Sequence, residues 1–184
     1  VDQRAQWESG GKYVTYGKGE SDDVLRWIEK ISDDKIKEIH LYGISMGAST
    51  LCYASDKITD KRVKSIVADC GYTSPRELID HILKRQKVPE FLVAAAFHAG
   101  EKIAKAGMKD KTEEHLSKTS IPVFFIHGED DTVVPASHSE RNFNACRSEK
   151  RLEIVKNAGH ACAAVVGGKE LRDKIFLFLG DNNE

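Results

Sequence analysis

The fold is decided by residues 36–58, which read IKEIHLYGISMGASTLCYASDKI. The first part, IKEIHLYG (36–43), has the apolar spacing of a short β-strand, and the second, MGASTLCYASDKI (46–58), is typical of an α-helix. Ser45 therefore lies at a turn between a strand and a helix. A serine at such a turn is either a helix cap or an exposed nucleophile, and the remaining motifs decide between these two interpretations.

Short apolar runs alternate with amphipathic helical patterns along the rest of the chain. Further strands are predicted at 63–70, 121–128 and 151–156, and further helices at 20–31, 136–147 and 169–179. The run IPVFFIHG (121–128) is nearly all apolar, so we expect it to be buried on both faces. The alternation predicts an α/β fold with a mainly parallel sheet flanked by helices on both faces.

The alternation stops between residues 71 and 120. Two helical patterns, 75–86 and 88–108, follow each other there with no strand between them. The segment 71–120 is predicted to be a helical insertion, which is either a lid over the ends of the strands or additional core packed on the sheet. A chain of 184 residues has the size of one domain, so we predict a single domain over 1–184 that contains this insertion.

The composition argues against several classes of protein. The chain has 28 Lys and Arg and 29 Asp and Glu, which gives a net charge of −1. It therefore lacks the excess of positive charge expected of a protein that binds nucleic acid or an anionic membrane. No apolar run approaches the roughly 20 residues of a membrane span, and the first residues do not form a signal peptide. Cys52, Cys70, Cys146 and Cys162 lie far apart, which argues against a metal site or a disulfide framework and favours buried free thiols in a reducing compartment.

A nucleophilic Ser45 would need a histidine base and an acid that orients the histidine. Its turn would be so tight that small neighbours, Gly43 and Gly47, are required. His160 is the candidate base because it lies on a loop with Asn157 after the last predicted strand. The other six histidines are interpreted as packing, surface or structural residues: His40, His81, His98, His115, His127 and His138.

The candidate acid is Asp131, in the segment HGEDDTVVP after the third predicted strand. Its neighbours Glu129 and Asp130 are alternatives, and Asp69 at the end of the second predicted strand is the main rival. All these residues fall at the carboxyl ends of strands, where a parallel sheet places its ligands. The N–H of Met46, at the start of a predicted helix, is a candidate donor to an oxyanion.

Three motifs together resemble the α/β-hydrolase superfamily, particularly its bacterial serine esterases and prolyl-oligopeptidase-like members. GISMG, HGEDDTVVP and NAGH occur in the serine–acid–histidine order of that fold. The resemblance implies Ser45 as nucleophile, Asp131 as acid and His160 as base, and it covers the chain from the end of the family's fourth strand onward. One departure is that Gln6 and Trp7 stand where the family has a histidine and a glycine.

The resemblance implies a serine hydrolase, in particular a carboxylesterase that cleaves a small acyl or aryl ester through an acyl-enzyme without a cofactor. A peptidase, a thioesterase or an acyltransferase would use the same triad. A catalytically silent binding module with the same fold is a further alternative. A cytoplasmic location is expected, and any signal or anchor would lie upstream of Val1.

The family's first three strands, and the loop that supplies its second oxyanion donor, have no counterpart in this sequence. A fragment, a naturally short chain or a self-associating remnant would each explain this. Without the family's third strand beside it, the strand IKEIHLY would have an exposed edge. We expect that edge to pair with another chain, giving a homo-oligomer, or to be covered by residues 1–19.

Overall fold

The computed structural model describes residues 1–31, 35–104 and 107–180. Within them, four strands form a single sheet in the order β1-β2-β3-β4, and each neighbouring pair is parallel. The strands are β1 (Ile39–Ile44), β2 (Val63–Asp69), β3 (Val123–Gly128) and β4 (Lys150–Val155). The predicted parallel α/β sheet is confirmed.

Helices surround this sheet at α1 (Lys18–Lys30), α2 (Met46–Ala54), α3 (Pro75–Arg85), α4 (Glu90–Ala104), α5 (Thr112–Leu116), α6 (Ser137–Ala145) and α7 (Ala163–Phe178). The sequence did not predict α5, because five residues are too few for a periodic signal. Helix α7 begins at Ala163 rather than at residue 169, because a kink at Gly168 joins an additional turn to the predicted helix. Gly168 has a φ of 54°, which glycine adopts without strain.

The core lies on both faces of β3, all of whose residues are buried. Val123 and Phe125 point into a cluster with residues of α1 and α2 on one face. Phe124 and Ile126 point into a second cluster with α7 on the other face. The prediction that 121–128 is buried on both faces is therefore confirmed, and the alternation of side chains along a strand is the reason.

The described part of residues 71–120 holds α3, α4 and α5 and no strand. Val93 and Phe97 of α4 are buried against Met108 and against Ile79 and Leu83 of α3. Helix α4 is thus held mainly by α3. Whether the segment acts as a lid stays a prediction.

Helix α3 is in turn tied to α6 by polar contacts. The Nδ1 atom of His138 lies 2.8 Å from Thr73 Oγ1, and the Arg141 guanidinium forms salt bridges with Glu77 and Glu113. His138 is buried, so its interpretation as a packing residue agrees with its position.

Strand β1 is one edge of the sheet, and among the described residues its ladder partner is β2. Tyr42 and Ile44 on this strand are 45% and 47% exposed. Residues 1–19 add no strand to this edge. Gln3 instead donates a hydrogen bond to Thr50 of α2, and Arg4 forms a salt bridge with Asp23 of α1. Pairing of the edge with another chain stays a prediction.

None of the helices in the described ranges combines the length and the apolar character needed to cross a bilayer.

The prediction that the four cysteines are buried free thiols is correct for three residues and wrong for the fourth. Cys52, Cys70 and Cys146 are buried free thiols, whereas Cys162 is exposed because it precedes α7 on a surface loop.

Candidate active site

Ser45 lies on a sharp turn between β1 and α2. Its φ and ψ are 54° and −115°, a strained conformation for a residue with a side chain, and its N–H donates to the Asp69 carbonyl at 2.8 Å. A Cβ on Gly43 would lie 2.5 Å from the backbone of Gly47, so Gly43 is required for the turn to close. A Cβ on Gly47 would meet nothing within 4 Å. The expectation that Gly47 must also be small is therefore wrong, because its Cα hydrogens face open space.

The three predicted catalytic side chains meet at the carboxyl ends of the strands. Ser45 Oγ lies 3.0 Å from His160 Nε2, and His160 Nδ1 lies 2.7 Å from Asp131 Oδ2. This network assigns the tautomer with the proton on Nδ1, so Nδ1–H donates to the carboxylate and Nε2 accepts from the serine hydroxyl. The structure thus brings together residues that lie 115 and 29 positions apart in the chain.

The loops that carry Asp131 and His160 are joined by their backbones. The N–H of Glu129 donates to Val155 at 2.9 Å, and the N–H of Asp130 donates to Ala158 at 3.0 Å. These bonds fix the loop after β3 against the loop after β4. The side chains of Glu129 and Asp130 are exposed, and the hydrogen bond to His160 is made by Asp131 instead.

The Asp131 carboxylate is buried, accepts three hydrogen bonds and has a further polar contact with His127. Its Oδ1 accepts the N–H groups of Val133 and Val134, both at 2.9 Å. Its Oδ2 accepts the Nδ1–H of His160 and lies 3.2 Å from His127 Nε2. Burial alone would raise the pKa of Asp131, but these donors outweigh burial and lower the pKa to about 2. The acid is therefore ionised throughout the neutral pH range.

His127 is a buried neighbour of the acid. Its ring is fully buried, Nε2 lies 2.8 Å from the Val134 carbonyl and 3.2 Å from Asp131 Oδ2, and Nδ1 lies 2.6 Å from Ser139 Oγ. Its interpretation as a structural residue is confirmed, and its ring also contacts the acid. Its position four residues before Asp131 in HGEDD is the signal that pointed to this contact.

Asp69, the rival acid, is buried beside the site but bonds elsewhere. Its Oδ2 accepts the Tyr42 hydroxyl at 3.2 Å, and its Oδ1 has no partner among the described residues. Burial raises the pKa of this carboxyl, an effect that the Tyr42 hydrogen bond and the positions of His127 and His160 reduce but do not cancel. Asp69 is thus poorly suited to stabilise an imidazolium in the way Asp131 does.

Of the remaining histidines, several bond to groups away from the triad. His40 Nδ1 lies 2.7 Å from Ser65 Oγ, His115 Nδ1 lies 2.8 Å from Asp56, and His81 Nε2 lies 3.2 Å from the Thr132 carbonyl. His98 is exposed on α4. In the described part of the chain, His160 is the histidine bonded to Ser45.

Met46 is the first residue of α2. Its N–H lies in the first helical turn, whose donors have no partner within the helix. A cavity of about 520 Å³ opens at Ser45 and Met46 and extends along the open edge of β1, where Tyr42 lines it. Gln6 and Trp7, the two departures from the family pattern, line the same cavity. Residues 71–120 supply none of the described residues around it.

Cys70, Asp131 and His160 are the described residues that could hold a metal ion, since their ligand atoms lie within 4.8 Å of one another. A metal there would have to break the hydrogen bond between His160 and Asp131. Burial also raises the pKa of the Cys70 thiol to about 12, which disfavours the thiolate that binds metals. These three side chains are therefore better suited to the hydrogen bond between His160 and Asp131 than to binding a metal ion.

Comparison with known proteins finds several relatives of this chain. The family described as "Serine aminopeptidase, S33" matches residues 93–164. The Bacillus subtilis protein YqkD is 28% identical over all of this chain and 62% of its own length. The lysophosphatidylserine lipase ABHD12 of Xenopus tropicalis is 21% identical over 88% of this chain and 44% of its own length. The chain thus spans less than two thirds of either relative.

Among solved structures, the Pyrococcus furiosus esterase Pf2001 superposes with a TM-score of 0.72 at 25% identity, over 97% of this chain and 68% of the esterase. The chain has the α/β-hydrolase fold, and its resemblance to that superfamily and to bacterial esterases is confirmed. The solved structures that it resembles include an esterase.

Proposed function

We propose that the protein is a serine carboxylesterase in which Ser45 is the nucleophile, His160 the general base and Asp131 the acid that orients the histidine. The observation that carries this proposal is the continuous hydrogen-bond chain from Ser45 Oγ through both nitrogens of His160 to Asp131 Oδ2. A serine that only capped α2 would not need the strained backbone of the turn, and its side chain makes no cap bond.

The first step of the proposed reaction is attack by Ser45 with transfer of its proton to His160. His160 Nε2 takes the proton of Ser45 Oγ while that oxygen attacks the ester carbonyl carbon. The resulting imidazolium is stabilised by the Asp131 carboxylate through Nδ1–H. The carbonyl oxygen becomes an oxyanion, which the N–H of Met46 at the start of α2 is placed to stabilise.

Collapse of this intermediate breaks the bond to the alcohol oxygen, which takes the proton from His160 Nε2 and leaves. The acyl group stays on Ser45 Oγ. Water then attacks the acyl-enzyme, with His160 again as the base, and the carboxylic acid is released. In the cavity, the apolar side chains of Tyr42, Ile44 and Met46 would contact the acyl or alcohol part of the substrate, beside polar residues such as Gln3 and Gln6.

The decisive test is labelling with a fluorophosphonate together with hydrolysis of p-nitrophenyl acetate. The wild-type chain should be labelled and should hydrolyse the ester, and Ser45→Ala should lose both. Ser49→Ala is a matched control, because Ser49 is a buried hydroxyl four residues away that bonds to Tyr72. Labelling that persists in Ser45→Ala, or wild-type turnover no faster than that variant, would exclude the assignment and favour a silent module.

A peptidase is the second candidate, because the matching family is described as serine aminopeptidase. The reacting atoms are the same for both substrates, so the triad does not separate them. Aminoacyl p-nitroanilides offered beside p-nitrophenyl esters distinguish the two. A higher kcat/KM for the anilides would replace the esterase assignment and leave the roles of the triad unchanged.

A further inference from the structure

The thiol of Cys70 lies where the loops of the candidate active site meet. Cys70 directly follows β2, and its side chain is fully buried. The register of the sheet pairs Ile44 of β1 with Asp69 of β2. The residues that follow them, Ser45 and Cys70, therefore lie side by side at the ends of neighbouring strands. The proposed reaction does not use this thiol, although it is next to the proposed nucleophile.

Both of these neighbours have a strained backbone. The φ angle is 54° at Ser45 and 48° at Cys70, a region that residues with a side chain rarely adopt. The N–H of Ser45 donates to the Asp69 carbonyl at 2.8 Å. The N–H of Cys70 donates to the Ile126 carbonyl, also at 2.8 Å. Strain of this kind persists only where the surrounding structure holds it, and it clusters at functional sites.

The sulfur of Cys70 also lies beside the proposed base. Its Sγ atom is within 4.8 Å of a ring nitrogen of His160 and of a carboxylate oxygen of Asp131. Ala161, which follows the histidine, has a φ of 57°, so this loop carries a strained residue as well. Cys70 thus adjoins both the turn of the nucleophile and the loop of the base.

The surroundings of Cys70 keep its side chain a neutral thiol. Burial, with the negative charge of Asp69, raises the pKa of the thiol to about 12. The backbone N–H groups of Ala161 and Ser45 oppose this rise in part, as N–H groups directed at the sulfur do. The sulfur is therefore a weak acceptor between two N–H groups, one from each loop.

We propose that Cys70 is a positioning residue, whose sulfur joins the turn of Ser45 to the loop of His160 and so holds the imidazole at hydrogen-bonding distance from Ser45 Oγ. This role rests on the proposed esterase function, since it concerns the same triad. Cys70 is fully buried, and the described residues that line the cavity at Ser45 do not include it. Its removal should therefore lower kcat and leave KM unchanged.

The choice of substitute distinguishes this role from simple packing. A hydroxyl in place of the sulfur can accept the same N–H groups, whereas a methyl group cannot. At a site that only needs to be filled, the methyl group is the better substitute, because a buried hydroxyl without a partner is costly. The order of activity of Cys70→Ser and Cys70→Ala therefore separates the two interpretations.

The test compares these variants in the hydrolysis of p-nitrophenyl acetate. Cys70→Ala should lower kcat by about 10–100-fold with KM unchanged, and Cys70→Ser should stay within about threefold of the wild type. If Cys70→Ala does not fold, Cys70→Gly makes the same test, because glycine adopts a φ of 48° without strain.

Cys52→Ala is the matched control. Cys52 is also a fully buried free thiol, but it packs in the core cluster between the sheet and α1 and α2. The variant should lose stability and keep its kcat, because a core cavity does not reach the triad. The proposal is overturned if Cys70→Ala or Cys70→Gly keeps the wild-type kcat, or if Cys70→Ala is at least as active as Cys70→Ser. A rise in KM with unchanged kcat would also overturn it, because the sulfur would then face the substrate.

A measurement that needs no catalysis separates this proposal from the esterase assignment. The Nδ1–H of His160, which donates to Asp131, should give a low-field proton NMR signal that is missing in His160→Gln. The signal should persist in Cys70→Ser and be lost through faster exchange with water in Cys70→Ala. If the wild type hydrolyses no ester, the esterase assignment fails, and this signal decides on the positioning by itself. A signal that is unchanged in Cys70→Ala overturns the positioning role.

Discussion

His127 Nε2 lies 3.2 Å from the Oδ2 atom of Asp131, the same oxygen that His160 Nδ1 contacts at 2.7 Å. One carboxylate oxygen thus lies between a histidine that would change its charge during the reaction and a buried histidine that is fixed by Ser139 and by the Val134 carbonyl. The fixed ring of His127 would hold the Asp131 carboxylate in place beside His160, the proposed general base.

His127→Gln is expected to lower kcat by about 10–100-fold with little change in KM, because Asp131 keeps its charge but loses a fixed donor. Loss of this donor also raises the pKa of Asp131 above its value of about 2. An acid whose folded pKa is depressed stabilises the fold above its unfolded pKa of about 4, and this stability is lost as the pH falls toward 2. Urea unfolding at pH 7 and pH 3 should therefore show a smaller difference in the variant.

The control for this prediction is His40→Gln, which removes an exposed ring on β1 that bonds to Ser65. It should leave both kcat and the acid sensitivity unchanged. A His127 variant with wild-type kcat and wild-type acid sensitivity would show that the ring only fills space.

The choice between the two candidate acids can be tested with matched amides. Asp131→Asn should lower kcat/KM by about 10⁴-fold, because an amide presents an N–H where the imidazole must donate. Asp69→Asn should cost less than about tenfold, because its carboxyl bonds to Tyr42 and not to His160. Kinetics with p-nitrophenyl acetate measure both, and the opposite ranking would transfer the role of the acid to Asp69.

The turn at Ser45 gives a second matched pair. Gly43→Ala should abolish fluorophosphonate labelling and destabilise the protein by about 1–3 kcal/mol or more, because the added methyl overlaps the Gly47 backbone at 2.5 Å. Gly47→Ala should keep labelling within about threefold of wild type, since its methyl meets nothing within 4 Å and alanine favours a helix. Equal loss of labelling in both variants would contradict the described geometry of the turn.

Because the ring of His138 is buried, the stability of the protein should depend on pH. Burial, with the nearby charge of Arg141, lowers the pKa of its ring to about 4 despite the opposing charge of Glu77, below the value near 6.5 in an unfolded chain. Between these values the unfolded chain binds the proton and the folded chain does not. The free energy of unfolding should therefore fall by about 3 kcal/mol as the pH decreases from about 6.5 to about 4.

In His138→Gln this part of the pH dependence should disappear, which denaturant titrations at pH 7 and pH 4.5 would measure. His98→Gln is the control, because that ring is exposed on α4 and should leave the wild-type slope intact. A His138 variant with the full wild-type slope would show that other groups cause the acid sensitivity.

Much of the fold was determined by local patterns in the sequence. Strand β3 was predicted because an unbroken apolar run of that length fits a strand buried on both faces. The parallel sheet followed from alternation of strands and helices, and the resemblance to the α/β-hydrolase superfamily followed from three short motifs. Helix α5 and the start of α7 were missed, because a five-residue helix and a glycine kink leave no periodic signal.

The sequence by itself determined which residue types stand at the carboxyl ends of the strands, since backbone and side-chain periodicity are local properties. Only the tertiary structure decided which of them meet. Asp131 rather than Asp69 bonds to His160, and His127 contacts Asp131. The Cα of Gly47 faces open space, and one apolar side of α4 is exposed. These are distances between segments far apart in the chain, and they are set by how the loops after each strand pack together, which no local pattern encodes.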